Sequence, residues 1–227
     1  MIAHVNHGET AASHSDPAWQ AGAVAELLLV SRWLSAVPGF LTPRTGPGAR
    51  IGFVPTASSI YDDRAWVDLD RITLREQGWQ TVEFDIEAMT PTDVAASLSM
   101  VDAVFVSGGN VFHLLAALRR TGIGDVLTEH VLAGLPYIGA SAGACVVGSD
   151  IEPLALLDDP TEATGLLSTA GLGWIDEVIV PHADGIVSGR AIVDEISRRY
   201  AQRFLLRLLA DDQALLVSKD SRSVISS

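Results

Sequence analysis

Gly139-Ala-Ser141-Ala-Gly143 sets a serine between two glycines directly after the short apolar run Pro136-Tyr-Ile-Gly-Ala140. This is the form of a nucleophile elbow, in which a sharp strand-to-helix turn lifts the serine hydroxyl out of a sheet. Glycine has no side chain to clash in such a turn, so Ser141 Oγ can project from the carboxyl edge of the sheet, where open α/β sheets hold their ligands. A capping serine in a glycine-rich turn has the same letters, so the motif needs partners. Val104-Phe-Val-Ser-Gly108-Gly109-Asn110 supplies one, a buried run ending in two glycines whose backbone N–H groups face outward. Gly109 N–H, with Ala142 N–H after the serine, could hold the oxyanion of a tetrahedral intermediate. Asn110 is both a helix N-cap and a candidate substrate contact.

A serine needs a base within hydrogen-bond reach. His182 ends the apolar run Val178-Ile-Val-Pro181 and is followed by Ala183-Asp184, which puts it on the same sheet edge as Ser141, whereas His113 and His130 fall within helical stretches. A carboxylate must then hold the imidazole tautomer. The loop between serine and histidine offers Asp150, Glu152, Asp158, Asp159 and Glu162, and the pattern alone does not choose among them.

The elements that must position these groups follow from apolar rhythm. Runs at ELLLVS, RIGFVPTA, QTVEFDI, DAVFVSGG, PYIGASAG, DEVIVPHAD and QALLVSKD alternate with helical patterns. Several are apolar on consecutive residues, so both faces must be covered, as in a parallel sheet layered with helices. The fold class is therefore α/β, a doubly wound, mostly parallel sheet with helices on both faces. Asn110 should cap a helix running to Arg120. From Gly189 to Leu209, Ile192, Ile196, Tyr200, Phe204 and Leu208 recur at steps of four, which predicts one amphipathic helix.

The 227 residues suit one α/β domain over residues 21–227, preceded by a polar arm at 1–20 that carries His4, His7 and His14. That arm lacks ordered carboxylate partners and is read as a loose segment in preference to a metal site. With 28 acidic and 15 basic side chains the formal charge is −13, so phosphate backbones and anionic lipid would be repelled; no nucleic acid and no membrane partner is expected. One cysteine, Cys145, excludes an internal disulfide, and no signal or spanning segment is evident, which points to the cytoplasm. Neither metal nor cofactor is called for. Oligomeric state is not readable, a homodimer being one option.

Together the GGN turn, the ASAGA elbow and the PHAD segment, in this order and spacing, resemble peptidase family S51, the peptidase E (aspartyl dipeptidase) and cyanophycinase group. The resemblance runs from about Leu27 to Val217 and includes Phe53-Val-Pro-Thr-Ala57. It implies a class I glutamine amidotransferase-like, flavodoxin-like fold, a nucleophile at Ser141 and a base at His182. It also implies an acidic residue fifteen to eighteen positions beyond the serine, where Asp158-Asp159-Pro160 lies, and Asp159 is preferred. The function implied is a cytoplasmic serine exopeptidase or dipeptidase acting on peptide substrates. A cyanophycinase-like β-aspartyl peptidase and a catalytically idle amidotransferase-like binding module are the alternatives; an esterase of the α/β-hydrolase type is weaker, because His182 follows Ser141 too closely to leave room for further strands. Aspartyl dipeptidases carry Gly-His-x-Gly-Glu-Thr-Arg after the histidine, and this chain reads Gly185-Ile-Val-Ser-Gly-Arg190 instead. Arg190 is the one basic candidate for substrate binding there. Its place before Ile192 at a helix start should turn it to solvent, leaving a pocket open to neutral side chains. The chain stops soon after Val217, so a reduced closing strand or hairpin is expected.

Overall fold

The computed structural model describes residues 25–219 and 221–227. The amino-terminal arm with His4, His7 and His14 lies outside the described residues. Strands β1 (Leu27–Val30), β2 (Arg50–Val54), β3 (Gln80–Glu83), β4 (Ala103–Val106) and β5 (Tyr137–Ala140) alternate with helices α1 (Val37–Thr45), α2 (Ala65–Glu76), α3 (Pro91–Leu98), α4 (Val111–Thr121) and α5 (Ile123–Leu132). The single-turn α6 (Ala142–Cys145) follows β5. Then come β6 (Glu177–Val180), α7 (Arg190–Tyr200), β7 (Leu205–Leu208), β8 (Gln213–Ser218) and β9 (Ser221–Ser226).

Seven strands form one sheet in the order β3-β2-β4-β5-β1-β8-β9, and β6 and β7 form a second, two-stranded sheet. The first five are mutually parallel, β8 runs antiparallel to β1, and β9 antiparallel to β8. Alternate residues of each central strand feed opposite layers, because successive side chains of a strand point to opposite faces. Leu27, Leu29, Val104 and Val106 pack with residues of α3, α4 and α5, while Leu28, Val30, Phe53 and Phe105 pack with residues of α1 and α2. Both faces are thus covered, and the expected doubly wound α/β class holds.

Two expectations fail. The predicted helix from Gly189 to Leu209 ends at Tyr200, and Leu205–Leu208 is a strand that pairs in parallel with β6 from Glu177↔Leu205 to Val180↔Leu208. Pairing satisfies the backbone groups that an unaccompanied β6 would leave open, a gain invisible to a local apolar period. The closing hairpin is also not reduced: β8 and β9 pair from Gln213↔Ser226 to Ser218↔Ser221.

What positions the site is the contact between α6 and β4. A Cβ on Gly143 would lie 2.1 Å from the Val106 carbonyl oxygen, so only glycine lets the helix seat on the strand. Gly143→Ala should cost about 3 kcal/mol in urea unfolding, at the upper end for overpacking because backbone cannot yield like a side chain. Gly39→Ala in α1, where a Cβ would meet nothing within 4 Å, should instead be neutral or stabilising by up to about 1 kcal/mol.

Candidate active site

Ser141 follows the last residue of β5 and has φ +48°, ψ −108°. Only Ser141 and His182 have positive φ among the described non-glycine residues. Such a conformation costs on the order of 1–3 kcal/mol and persists only where the surroundings over-determine it. Here Ser141 N–H donates to the Val30 carbonyl of β1 (3.0 Å), and its own carbonyl accepts from Ala144 and Cys145 N–H (2.9 Å each). The buried Tyr137 hydroxyl donates to the Gly143 carbonyl at 2.6 Å, pinning the first turn of α6 from below.

His182 lies two residues past the end of β6. Its N–H donates to Ser31 Oγ (2.8 Å) and that hydroxyl donates to the Leu209 carbonyl (3.2 Å), so the histidine backbone is tied to the chain just after β1 and just after β7. The ring bridges two groups: Nε2 is 3.1 Å from Ser141 Oγ and Nδ1 is 2.6 Å from Asp211 Oδ1. Asp211 is 4% exposed; its N–H donates to Asp184 Oδ2 (3.0 Å), and the Arg32 guanidinium lies 3.6 Å from its Oδ2.

The carboxylate on His182 is therefore Asp211 and not Asp159. Asp159 is exposed and caps a short 3-10 turn, its Oδ1 accepting from Thr161 N–H (2.9 Å) and Oγ–H (2.7 Å), bonds that lower its pKa. Asp211 escapes sequence reasoning because Leu205–Leu208 reads as helix; read as a strand, Asp211 falls on its carboxyl end beside His182. Asn110 is likewise committed elsewhere: it is fully buried, its Oδ1 accepts from Phe112 and His113 N–H, its Nδ2 donates to the Asp159 carbonyl, and it is not part of the cavity wall. Arg190, the other candidate substrate contact, is 71% exposed at the start of α7, 3.7 Å from Asp194, and is not part of the cavity wall. Gly109 and Ala142 do border the cavity beside Ser141. A Cβ on Gly109 would fall 2.2 Å from the Ala57 carbonyl oxygen, so the turn cannot be built otherwise. Cys145 is buried, and desolvation first, then Asp158, push its thiol well above the ordinary value, which keeps it a neutral thiol.

The serine opens into a cavity of about 350 Å³. Arg32 borders it, stacked 4.6 Å from the Trp33 ring and facing Asp211, so one cation does lie at this site, from a position the sequence did not flag. Two further carboxyls face the cavity. Burial raises Asp70 from 3.8 to about 7, opposed by the Ser107 hydroxyl at 3.0 Å, and raises Asp158 from 3.8 to about 6, opposed by Val111 N–H at 2.8 Å. Among the described residues no three His, Cys, Asp or Glu side chains gather as a metal site, and no helix is long and apolar enough to cross a membrane.

Asp70 binds its proton more tightly in the folded protein than in the unfolded chain. Between pH 4 and pH 7 the native state thus carries the extra proton, and stability falls as pH rises through that window. Asp70→Asn keeps an acceptor for Ser107 and removes this penalty. It should stabilise the protein at pH 8 by about 2 kcal/mol, below the full shift because the carboxyl is partly open to the cavity, and by nothing near pH 3.5, as read by denaturant unfolding at the two pH values.

The model of peptidase family S51 matches residues 28–225. An uncharacterized peptidase of Listeria innocua is 31% identical over 192 residues, covering 84% of this chain and 91% of the relative. Peptidase E of Streptomyces coelicolor is 36% identical over 154 residues, 66% of this chain and 56% of its own. A solved structure of a provisional peptidase E protein from Listeria monocytogenes EGD-e superimposes with a TM-score of 0.81 at 26% identity, covering 90% of this chain and 100% of that one. With an elbow serine and a histidine at hydrogen-bond distance in the shared fold, the chain belongs to peptidase family S51 and is a serine-type peptidase.

Proposed function

We propose that the chain is an exopeptidase that hydrolyses dipeptides or other short peptides, with Ser141 as nucleophile, His182 as base and acid, and Asp211 orienting His182. The observation that carries this reading is the unbroken line from Asp211 Oδ1 through the His182 ring to Ser141 Oγ, at 2.6 and 3.1 Å, ending in a cavity of about 350 Å³. That volume is at the small end of ligand sites, the scale of a short peptide rather than a polymer.

In this cycle Ser141 Oγ attacks the scissile carbonyl carbon while its proton passes to His182 Nε2. Asp211 accepts the Nδ1–H bond, fixing the tautomer and stabilising the imidazolium. The negative oxygen of the tetrahedral adduct is held by the N–H groups of Gly109 and Ala142; the latter opens α6 and so lies outside the intrahelical ladder. His182 then protonates the leaving amine as the C–N bond breaks. Water attacks the acyl-serine by the same route in reverse and releases the acid.

Specificity follows from the charges in the cavity. Arg190 faces solvent and Arg32 already faces Asp211, while Asp70 and Asp158 lack a cation. An aspartyl side chain placed against Asp70 and Asp158 would meet like charge, and the guanidinium that borders the cavity, Arg32, already faces Asp211.

Ser141→Ala should lose ~10⁴ to 10⁶ in hydrolysis and all labelling by a fluorophosphonate, and Asp211→Asn should lower kcat by ~10⁴ through the wrong tautomer. Asp159→Asn should stay within about twofold of wild type. Labelling that survives Ser141→Ala, or an unlabelled wild type, overturns the mechanism.

Across dipeptides, kcat/KM for Ala-Leu and Leu-Leu should equal or exceed that for Asp-Leu. A hundredfold preference for Asp-Leu, ~2.7 kcal/mol, overturns the specificity argument.

A further inference from the structure

Trp66 and Asp70 are one turn apart on α2, a spacing that puts both on the same helix face, and both border the cavity into which Ser141 opens. The Trp66 ring is fixed there: its Nε1–H donates to Ser58 Oγ at 3.0 Å, and Ser58 in turn donates to the Gly108 carbonyl at 2.5 Å, so the indole is tied to the glycine turn beside the serine. Tyr61 packs edge-on against it, centroids 5.7 Å apart, and both rings keep about two-fifths of their surface open, 38% and 40%. Asp70 uses only Oδ2, toward Ser107; Oδ1 takes no donor among the described residues, and no cation pairs with it. Asp158, also on the cavity wall, is in the same state, with Oδ2 on Val111 N–H and Oδ1 without a donor among the described residues.

Two half-satisfied carboxyls and two anchored aromatic rings around one apolar cavity are chemically complementary to one kind of group. An ammonium supplies donors to the open carboxyl oxygens and is attracted to the ring faces, where desolvation strengthens both interactions. An apolar group leaves the oxygens unsatisfied, and a carboxylate adds like charge.

We infer that the wall of the cavity formed by Asp70 and Trp66 of α2 with Tyr61 just before it is a subsite that binds a primary ammonium group of the peptide substrate. This deepens the peptidase reading and rests on it for the identity of the ligand as a peptide, though its binding test needs no turnover. Two sources share the chemistry, a lysyl side chain and the peptide's own amino terminus.

The test titrates the Ser141→Ala protein, with and without Asp70→Asn, with Lys-Ala, norleucyl-Ala and acetyl-Lys-Ala by calorimetry at pH 8. Norleucine matches the lysine chain without its ammonium. If the side chain occupies the subsite, Lys-Ala binds at least tenfold more tightly than norleucyl-Ala, and Asp70→Asn brings that ratio to about one. If the amino terminus occupies it, Lys-Ala and norleucyl-Ala bind alike, acetylation weakens binding at least tenfold, and Asp70→Asn abolishes that difference. Ratios unchanged by Asp70→Asn overturn the inference in either form. Loss of folding does not confuse the result, because Asp70→Asn is expected to be the more stable protein at that pH. A peptidase reading that fails does so separately, by absent fluorophosphonate labelling of the wild type.

Discussion

Ser141 is held in a backbone conformation that serine does not adopt unaided, and the arrangement around it depends on that constraint. The strain of about 1–3 kcal/mol is sustained from three sides. Val30 of β1 receives the Ser141 N–H, the first turn of α6 closes on the Ser141 carbonyl, and Tyr137 fastens the Gly143 carbonyl from inside the core. Gly143 must be glycine for α6 to lie on β4 at all. The central parallel strands thus serve as a frame that keeps one hydroxyl at a sheet edge in an orientation useful for attack.

The histidine is held by a different device. β6 and β7 form their own parallel pair, and residues just past their carboxyl ends, His182 and Asp211, meet at 2.6 Å. Ser31, next to the strand that receives the Ser141 N–H, also receives the His182 N–H, so one hydroxyl ties the histidine backbone to the end of β1. Serine and histidine are brought to 3.1 Å by these backbone ties rather than by attraction between the side chains themselves.

Around this line the charge is unbalanced. Asp70 and Asp158 face the cavity without cations, and burial holds both above the ordinary carboxylate range. Groups left in that state reduce stability, and they concentrate where a ligand is to supply the missing partner. Arg32 faces Asp211, and the two carboxyls outnumber it, so the cavity as a whole favours positive over negative occupants.

The amino-acid sequence by itself determined the strand-and-helix alternation, the doubly wound class, the elbow at Ser141, the glycine turn at Gly109 and the place of His182 at a strand end. Each is a local property, written in consecutive apolar residues or in glycines beside one functional group. Only tertiary structure decided the rest. Leu205–Leu208 continues a helical apolar period with no stop signal after Tyr200, and becomes a strand because β6 offers its edge. Asp211 becomes the partner of His182 through that pairing, whereas Asp159, nearer to Ser141 along the chain, is consumed in capping its own turn. Arg32 and Asp70 reach the cavity from the turn after β1 and from α2, stretches that carry no motif. Distance along the chain sets which residues share an element, and only the packing of elements sets which side chains share a site.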